Sequence, residues 1–182
     1  MHKIIQFLIL SIPVFILSYR SIIRPQSHGF ARFFGWEIMV WLFVSVHPFW
    51  FKDTLTVNQI ASWLLLIVSI YMVSAGALDL LKKGKPSSNR DEKYLFSFEK
   101  TTELVETGIY KYVRHPLYAS LIYLSWGMTL KNPTLILVIL TITATVLFYI
   151  TAKKDEKECT VYFGEKYGVY MKRSKMFIPF IF

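Results

Sequence analysis

The sequence predicts an all-α integral membrane bundle of about five transmembrane helices, closed by an amphipathic C-terminal tail, and three observations carry that prediction. Five apolar runs cover 4–19, 36–51, 57–81, 117–130 and 133–152, to be set against the ~20 residues a helix needs to cross a bilayer. Hydrophobic residues make up 54% of the 182-residue chain and aromatics 17%, above the apolar share of about 45–50% usual in soluble domains. The basic residues that give a formal charge of +9 gather between the apolar runs, as they do in the loops of membrane proteins. That placement points to anionic lipid headgroups as partners and away from nucleic acid. The whole of 1–182 reads as one membrane domain.

The first run follows Lys3, as the core of a signal peptide would, but Tyr19-Arg20 is a poor small-residue cleavage site, so it is read as a span. The first, second and fourth runs are short and need flanking aromatic or snorkelling residues, or local thinning, to cross. With five spans the loops alternate sides, and only Lys3, Lys52 and Lys131 of the 21 Lys and Arg residues fall on the sparse side. The positive-inside rule then puts the N-terminus outside and the C-terminus and site in the cytosol. Glu37, at the start of the second span, reads as an interfacial residue near Arg32 or Arg20. In the third span Ser74, Ala75, Gly76 and Ala77 are small enough for close helix contact. Asp79, one turn from the end of that span, pairs with Lys82 or Lys83 or else walls a polar pocket.

Gly84, Pro86, Ser87 and Ser88 stop the third helix and open a loop, 82–116. Its Tyr94, Leu95, Phe96 and Phe98 are too apolar for a free linker and predict that part of the loop folds back on the membrane face. Lys131-Asn132-Pro133 makes a tight hairpin in which Asn132 caps the fifth helix and Pro133 begins it. The start of the fourth span and the end of the fifth must therefore lie side by side. The tail, 153–182, sets Cys159, Phe163, Tyr167 and Tyr170 at three-to-four spacing, one apolar stripe able to lie on the interface and cover a pocket there. Gly164 and Gly168 weaken that stretch as a continuous helix, and the lone Cys159 reads as a packing residue.

The most informative stretch is 104–118, L-V-E-T-G-I-Y-K-Y-V-R-H-P-L-Y. Pro116 suits a first helical position, which places Arg114 and His115 at the mouth of the fourth span. Gly108 can turn the chain with a positive φ so that Tyr110, Tyr112 and Tyr118 converge around the Arg-His pair. This run resembles the signature of the isoprenylcysteine carboxyl methyltransferase superfamily, which includes phospholipid methyltransferases. Asp155-Glu156, Phe163-Gly164, Tyr167, Tyr170 and Ile178-Pro179 resemble that family's closing motif in order and separation. The resemblance covers roughly the last 80 residues and upstream extends only to the pattern of spans.

The resemblance implies an S-adenosylmethionine-dependent methyltransferase in the membrane, with S-adenosylhomocysteine as product and a lipophilic acceptor bearing a carboxylate, hydroxyl or amine. It implies cofactor contacts from Thr102, Glu103, Leu104, Val105, Tyr110, His115, Pro116, Leu117, Tyr118, Asp155 and Glu156. Arg114, His115 and Glu156 are the candidate catalytic residues. An ionised carboxylate acceptor would need only positioning, by Arg114, whereas a hydroxyl or ammonium must lose a proton to His115 or Glu156. Asp155 stands where the family has a first glutamate, Thr151 where the prenylcysteine enzymes have a substrate-facing arginine, and Glu103 where histidine is frequent. These departures point away from a prenylcysteine acceptor. Two other readings remain open at this level: an NADPH-dependent sterol-type reductase, which needs clustered cations for the phosphates, and a non-catalytic membrane scaffold. No organised metal site is visible in the sequence.

Overall fold

The computed structural model describes residues 2–87 and 96–182. Ser88, Tyr94, Leu95 and the side chain of Phe98, used above to read the loop, lie outside the described residues. Among the described residues six α-helices follow one another: α1 (His2–Ile22), α2 (His28–Val46), α3 (Val57–Lys83), α4 (Pro116–Thr129), α5 (Leu135–Phe163) and α6 (Glu165–Arg173). Single 3₁₀ turns occupy His47–Phe49, Ser97–Glu99 and Gly108–Lys111. Among the described residues four helices are long and apolar enough to cross a membrane: α1, α2 with its 3₁₀ extension, α3 and α5. Large apolar side chains stand exposed along them, among them Leu8, Ile16, Leu64, Ile70 and Ile136, an outer surface that only lipid would cover favourably.

The fourth apolar run behaves differently from the other four. With 14 residues, α4 is about 21 Å long at 1.5 Å per residue, short of the ~30 Å hydrocarbon core. It lies between α3 and α5, its backbone reached by hydroxyls from α3: Ser62 donates to the Gly127 carbonyl at 2.6 Å and Ser69 to the Ser120 carbonyl at 2.8 Å. A Cβ on Gly127 would stand 2.9 Å from Leu66 Cδ2, so the glycine is what lets the two helices come this close. The start of α4 meets Gly76, where an added Cβ would lie 3.0 Å from Pro116 Cγ. Seven residues separate Gly76 from the end of α3 at Lys83, so the Arg114-His115 pair is sunk by about 10 Å below that end.

Several expected boundaries shift, each for a local reason. The second helix begins at His28 and not at 36, because the polar residues of its first turns, His28 and Arg32, are buried against acidic partners. Glu37 consequently sits in mid-helix, accepting a 2.6 Å hydrogen bond from Ser11 of α1, and not at an interface beside Arg32 or Arg20. At the α4–α5 turn the capping residue is Thr134, whose hydroxyl accepts from the Leu137 amide at 3.4 Å, in place of Asn132. The fifth helix runs on to Phe163, so the first part of the expected tail continues it. The break comes at Gly164, in a positive-φ conformation of +62° that suits glycine, whereas Gly168 is accommodated inside α6.

The last residues return to the site. Lys175 and Val113 form an isolated parallel bridge, with the Arg114 amide donating to the Lys175 carbonyl at 2.8 Å and the His115 amide to the Met176 carbonyl at 3.2 Å. Met176 and Phe177 join Met72, Val113, Tyr118, Ala119 and Ala152 in one buried cluster. The C-terminal segment thus clamps the Arg-His-Pro turn from outside.

Candidate active site

The cleft at the basic end of the bundle is built by three regions that are far apart in sequence, around 80, 99–118 and 155–170. Its walls are Leu80 of α3, Glu99, Thr101, Leu104, Val105 and Tyr110 of the loop, Arg114 to Tyr118 at the start of α4, Asp155, Cys159 and Phe163 of α5, and Tyr167 and Tyr170 of α6. The three-to-four stripe of the tail is therefore one wall of this cleft, across the bend at Gly164, and Cys159 belongs to that wall.

Each polar group is placed by a definite contact. Asp79 of α3 accepts from the Ile109 amide at 3.0 Å and pairs with Lys83 at 2.5 Å, fixing the turn that carries Tyr110. Gly108 adopts φ +64°, and a Cβ there would lie 2.0 Å from Asp79 Oδ2, so this turn requires glycine on two counts. Tyr170 donates to the Tyr110 carbonyl at 2.7 Å, joining α6 to the loop. Burial holds the phenols of Tyr110, Tyr167 and Tyr170 neutral, with pKa values above the usual range.

At the centre, Arg114 Nε donates to Glu156 Oε1 at 2.6 Å and Nη1 to the Ser174 carbonyl at 2.9 Å. Lys153 Nζ donates to the other Glu156 oxygen, also at 2.6 Å. His115 sits between the two adjacent acids, Nδ1 3.5 Å from Asp155 Oδ2 and Nε2 3.4 Å from Glu156 Oε1. Nε2 is buried and makes no hydrogen bond among the described residues. Burial opposes charging this ring, but its contacts with Asp155 and Glu156 outweigh that and raise its pKa above the ordinary 6.5.

A second charged cluster adjoins the first. Arg32 of α2 pairs with Glu99 at 2.5 Å and lies over the rings of Trp36 and Phe96, at 5.1 and 4.6 Å. Phe96 thereby shows the loop folded back against α2. Burial alone would push the Glu99 carboxyl up, but the Arg32 charge and the nearby His28 bring it below the usual carboxylate range. His28 Nδ1 lies 2.9 Å from Glu158 Oε2, and the His28 amide donates to Glu158 Oε1 at 3.0 Å.

Of the residues singled out from sequence, Leu104, Val105, Tyr110, Arg114, His115, Pro116, Leu117, Tyr118 and Asp155 line the cleft. Glu156 stands behind it and holds Arg114 and His115. Thr102 and Glu103 do not reach it: the Thr102 hydroxyl donates to the Lys85 carbonyl, and Glu103 is exposed and paired with Lys85. Thr151 is fully buried and its hydroxyl donates to the Leu147 carbonyl. The sequence reading passed over Glu99 and His28, whose partners lie 67 and 130 residues away, a pairing that leaves no local trace.

A bundle of apolar helices holding an aromatic, acid-lined cleft at its basic end fits a multi-pass membrane protein. The chain belongs to the phospholipid methyltransferase family, whose model matches residues 57–168, from the start of α3 into α6. It is similar to the methanethiol S-methyltransferase of Crocosphaera subtropica, 28% identical over 176 residues, covering 89% of this chain and 64% of that protein. It is also similar to the methanethiol S-methyltransferase of Pseudomonas deceptionensis, 30% identical over 127 residues, covering 64% of this chain and 42% of that protein. The chain thus spans less than two thirds of the length of these relatives. No solved structure matches it.

Proposed function

We propose that this chain is an S-adenosylmethionine-dependent membrane methyltransferase acting on a lipophilic acceptor with a neutral thiol or hydroxyl, from a cleft that faces the cytosol. The carrying observation is His115: a buried imidazole with an unbonded Nε2, set by Asp155 and Glu156 in a cleft of aromatic and apolar walls. The donor set fits the cofactor. Leu80, Leu104, Val105, Leu117 and Phe163 offer apolar surface for an adenine, and Asp155 presents a carboxylate for the ammonium or the ribose hydroxyls. When bound, S-adenosylmethionine supplies an electrophilic methyl group on a sulfonium cation.

The residues around Arg114 favour a neutral acceptor. Its guanidinium is engaged by Glu156 and the Ser174 carbonyl, and Thr151 offers no second cation, so an acceptor carboxylate has no ready counter-ion. The same engagement of Arg114 and Arg32 by acids disfavours the phosphates of NADPH. A thiol or hydroxyl needs its proton removed as it attacks, and His115 Nε2 is the buried group with capacity to take it. The names of the two relatives favour a thiol. A largely apolar hollow of about 340 Å³ between α4 and α5, lined among others by Ala119, Ile122, Val146 and Phe177, reaches to Phe177, whose ring centroid lies 6.3 Å from that of His115. Its lining supports approach of an apolar acceptor from the lipid side.

Isothermal titration of the detergent-purified chain with S-adenosylhomocysteine tests the cofactor, and a folded sample that takes up no ligand would falsify the reading. Mass spectrometry of thiols and lipids from cells fed deuterated methionine, with and without the chain, identifies the acceptor. Labelling confined to carboxyl esters would overturn the neutral-acceptor assignment.

A further inference from the structure

His115 is sealed from water, its side chain 3% exposed, and a proton taken up there has to leave before the next turnover. Asp155, 3.5 Å from Nδ1, is the next group outward. Its side chain lines the cleft, and a molecule filling the cleft would cover its route to water on that side. On its other side, one donor atom each of Asp155, His28 and Glu158 lie within 4.8 Å of one another, a gap that direct contact or one bridging water closes. His28 is 1% exposed and in hydrogen-bond contact with Glu158, which is 23% exposed. Glu158 lines an open surface hollow with Arg24, Pro25, Gln26 and Ser27, away from the cleft. Four titratable groups therefore connect the buried imidazole to the basic surface, with Glu99, paired to Arg32, flanking His28 at 3.9 Å.

We propose that Asp155, His28 and Glu158 form the proton outlet of the site, an assignment that rests on the methyl-transfer reading above. As the acceptor sulfur or oxygen forms its bond to the methyl carbon, the old carbon–sulfonium bond breaks with its electron pair staying on the cofactor sulfur. The acceptor proton goes to His115 Nε2. His115 passes its Nδ1 proton to Asp155, His28 relays it, and Glu158 releases it to water, so that every group returns to its starting charge. Asp155 and Glu158, one helical turn apart on α5, are thereby the inner and outer ends of a relay whose middle comes from α2.

The test uses the full chain in nanodiscs, with Glu158→Gln, which keeps an acceptor for the His28 amide, and His28→Gln. S-Adenosylhomocysteine affinity, single-turnover and multiple-turnover methyl transfer to ethanethiol between pH 5.5 and 8 (roughly the range in which histidine titrates), and the ¹⁵N-histidine titration of His115 are measured on each. The outlet predicts S-adenosylhomocysteine affinity and a single-turnover rate within about twofold of the parent, and a multiple-turnover rate down about tenfold, recovering as pH rises. It also predicts a His115 titration midpoint displaced by roughly half a unit or more. Parent multiple-turnover rates with an unchanged pH profile overturn it, and so does a loss of affinity in step with the rate, which marks a structural role. If the parent binds S-adenosylhomocysteine but leaves ethanethiol unmethylated, the thiol reading fails and the His115 midpoint alone decides the outlet: displaced supports it, unmoved rejects it. If the parent binds no S-adenosylhomocysteine, the cofactor reading fails, and the same midpoint in the ligand-free chain decides in the same way.

Discussion

The two ends of the bundle both bury a basic side chain at the edge of α4, and they satisfy it in opposite ways. At the basic end Arg114 is held by Glu156, in company with His115, Asp155 and Lys153. At the other end Lys131, 4% exposed, has no carboxylate partner among the described residues. Its ammonium donates to Gln59 Oε1 at 2.9 Å and lies 3.6 Å from the centroid of the Trp63 ring and 5.7 Å from that of Trp50. A cation met by an amide and π faces is a closed structural unit. One met by a cluster of acids, with an imidazole nitrogen left over, is able to exchange protons and take up a charged ligand. The contrast supports the proposed chemistry at one end and anchoring at the other.

The largest effect that separates the ends comes from Glu156. Glu156→Ala leaves Arg114 buried without its carboxylate and removes one of the two acids facing His115. The expected loss is about 3–5 kcal/mol of stability, the usual cost of breaking a buried pair by deleting one partner, together with about a hundredfold in methyl transfer, because His115, the proton-transfer group, loses one of the two acids that set it. Glu156→Gln keeps the shape, and thermal unfolding of the two variants side by side separates the lost charge from the lost contact. Equal stability of Glu156→Ala and the parent would contradict the assignment of this end as the electrostatically organised one.

Gly108→Ala comes next. The added Cβ meets Asp79 Oδ2 at 2.0 Å in a backbone conformation with φ +64°, a strain of about 1–3 kcal/mol. The turn carrying Tyr110 must move, so a lower unfolding temperature is expected together with weaker S-adenosylhomocysteine binding, read by calorimetry. Gly127→Ala, between α3 and α4 away from the cleft, is expected to lower stability while leaving ligand affinity unchanged. If both variants lose affinity alike, the strain at Gly108 is not local to the site.

These residues also show how far sequence reaches. The glycine turn, the helix start at Pro116 and the meeting of Arg114-His115 with Asp155-Glu156 were all legible, because each depends on local backbone rules and on the short α4–α5 hairpin. The tail stripe was legible in its spacing, although α5 carries its first half and α6, beyond the bend at Gly164, its second. The start of α2 was not legible. Polarity at His28 and Arg32 argues against a span until Glu99 and Glu158 are known to lie against them, and that information is tertiary. The shortness of α4 was readable, but its burial between α3 and α5 was not, since Ser62, Ser69, Ser120 and Gly127 look polar or indifferent until paired.

The pH dependence sharpens the comparison further. The pKa of His115 is raised in the folded chain, so its contribution to stability is fully present below the ordinary 6.5 and is lost as pH rises through the folded value. Unfolding temperature measured across neutral pH is expected to fall on the alkaline side, and His115→Gln to flatten that limb. A parent curve that rises there would require the imidazole to be neutral in the fold. His115→Gln also separates proton transfer from binding, because glutamine can occupy the cleft wall but cannot take the proton.

The smallest effect belongs to the other end. Lys131→Met keeps an unbranched apolar stem across Trp63 and removes only the charge, so the loss of the contact with the rings, about 0.5–2 kcal/mol, is offset by no longer burying an ammonium. A net change within about 1 kcal/mol is expected, with S-adenosylhomocysteine affinity and methyl transfer unchanged, because no titratable group links this end to His115 among the described residues. Thermal unfolding and calorimetry on the purified variant check both halves of that statement. A large loss of activity with little loss of stability would mean that α4 transmits the state of the Lys131 end to the Arg-His-Pro turn, and the division of labour between the two ends would have to be abandoned.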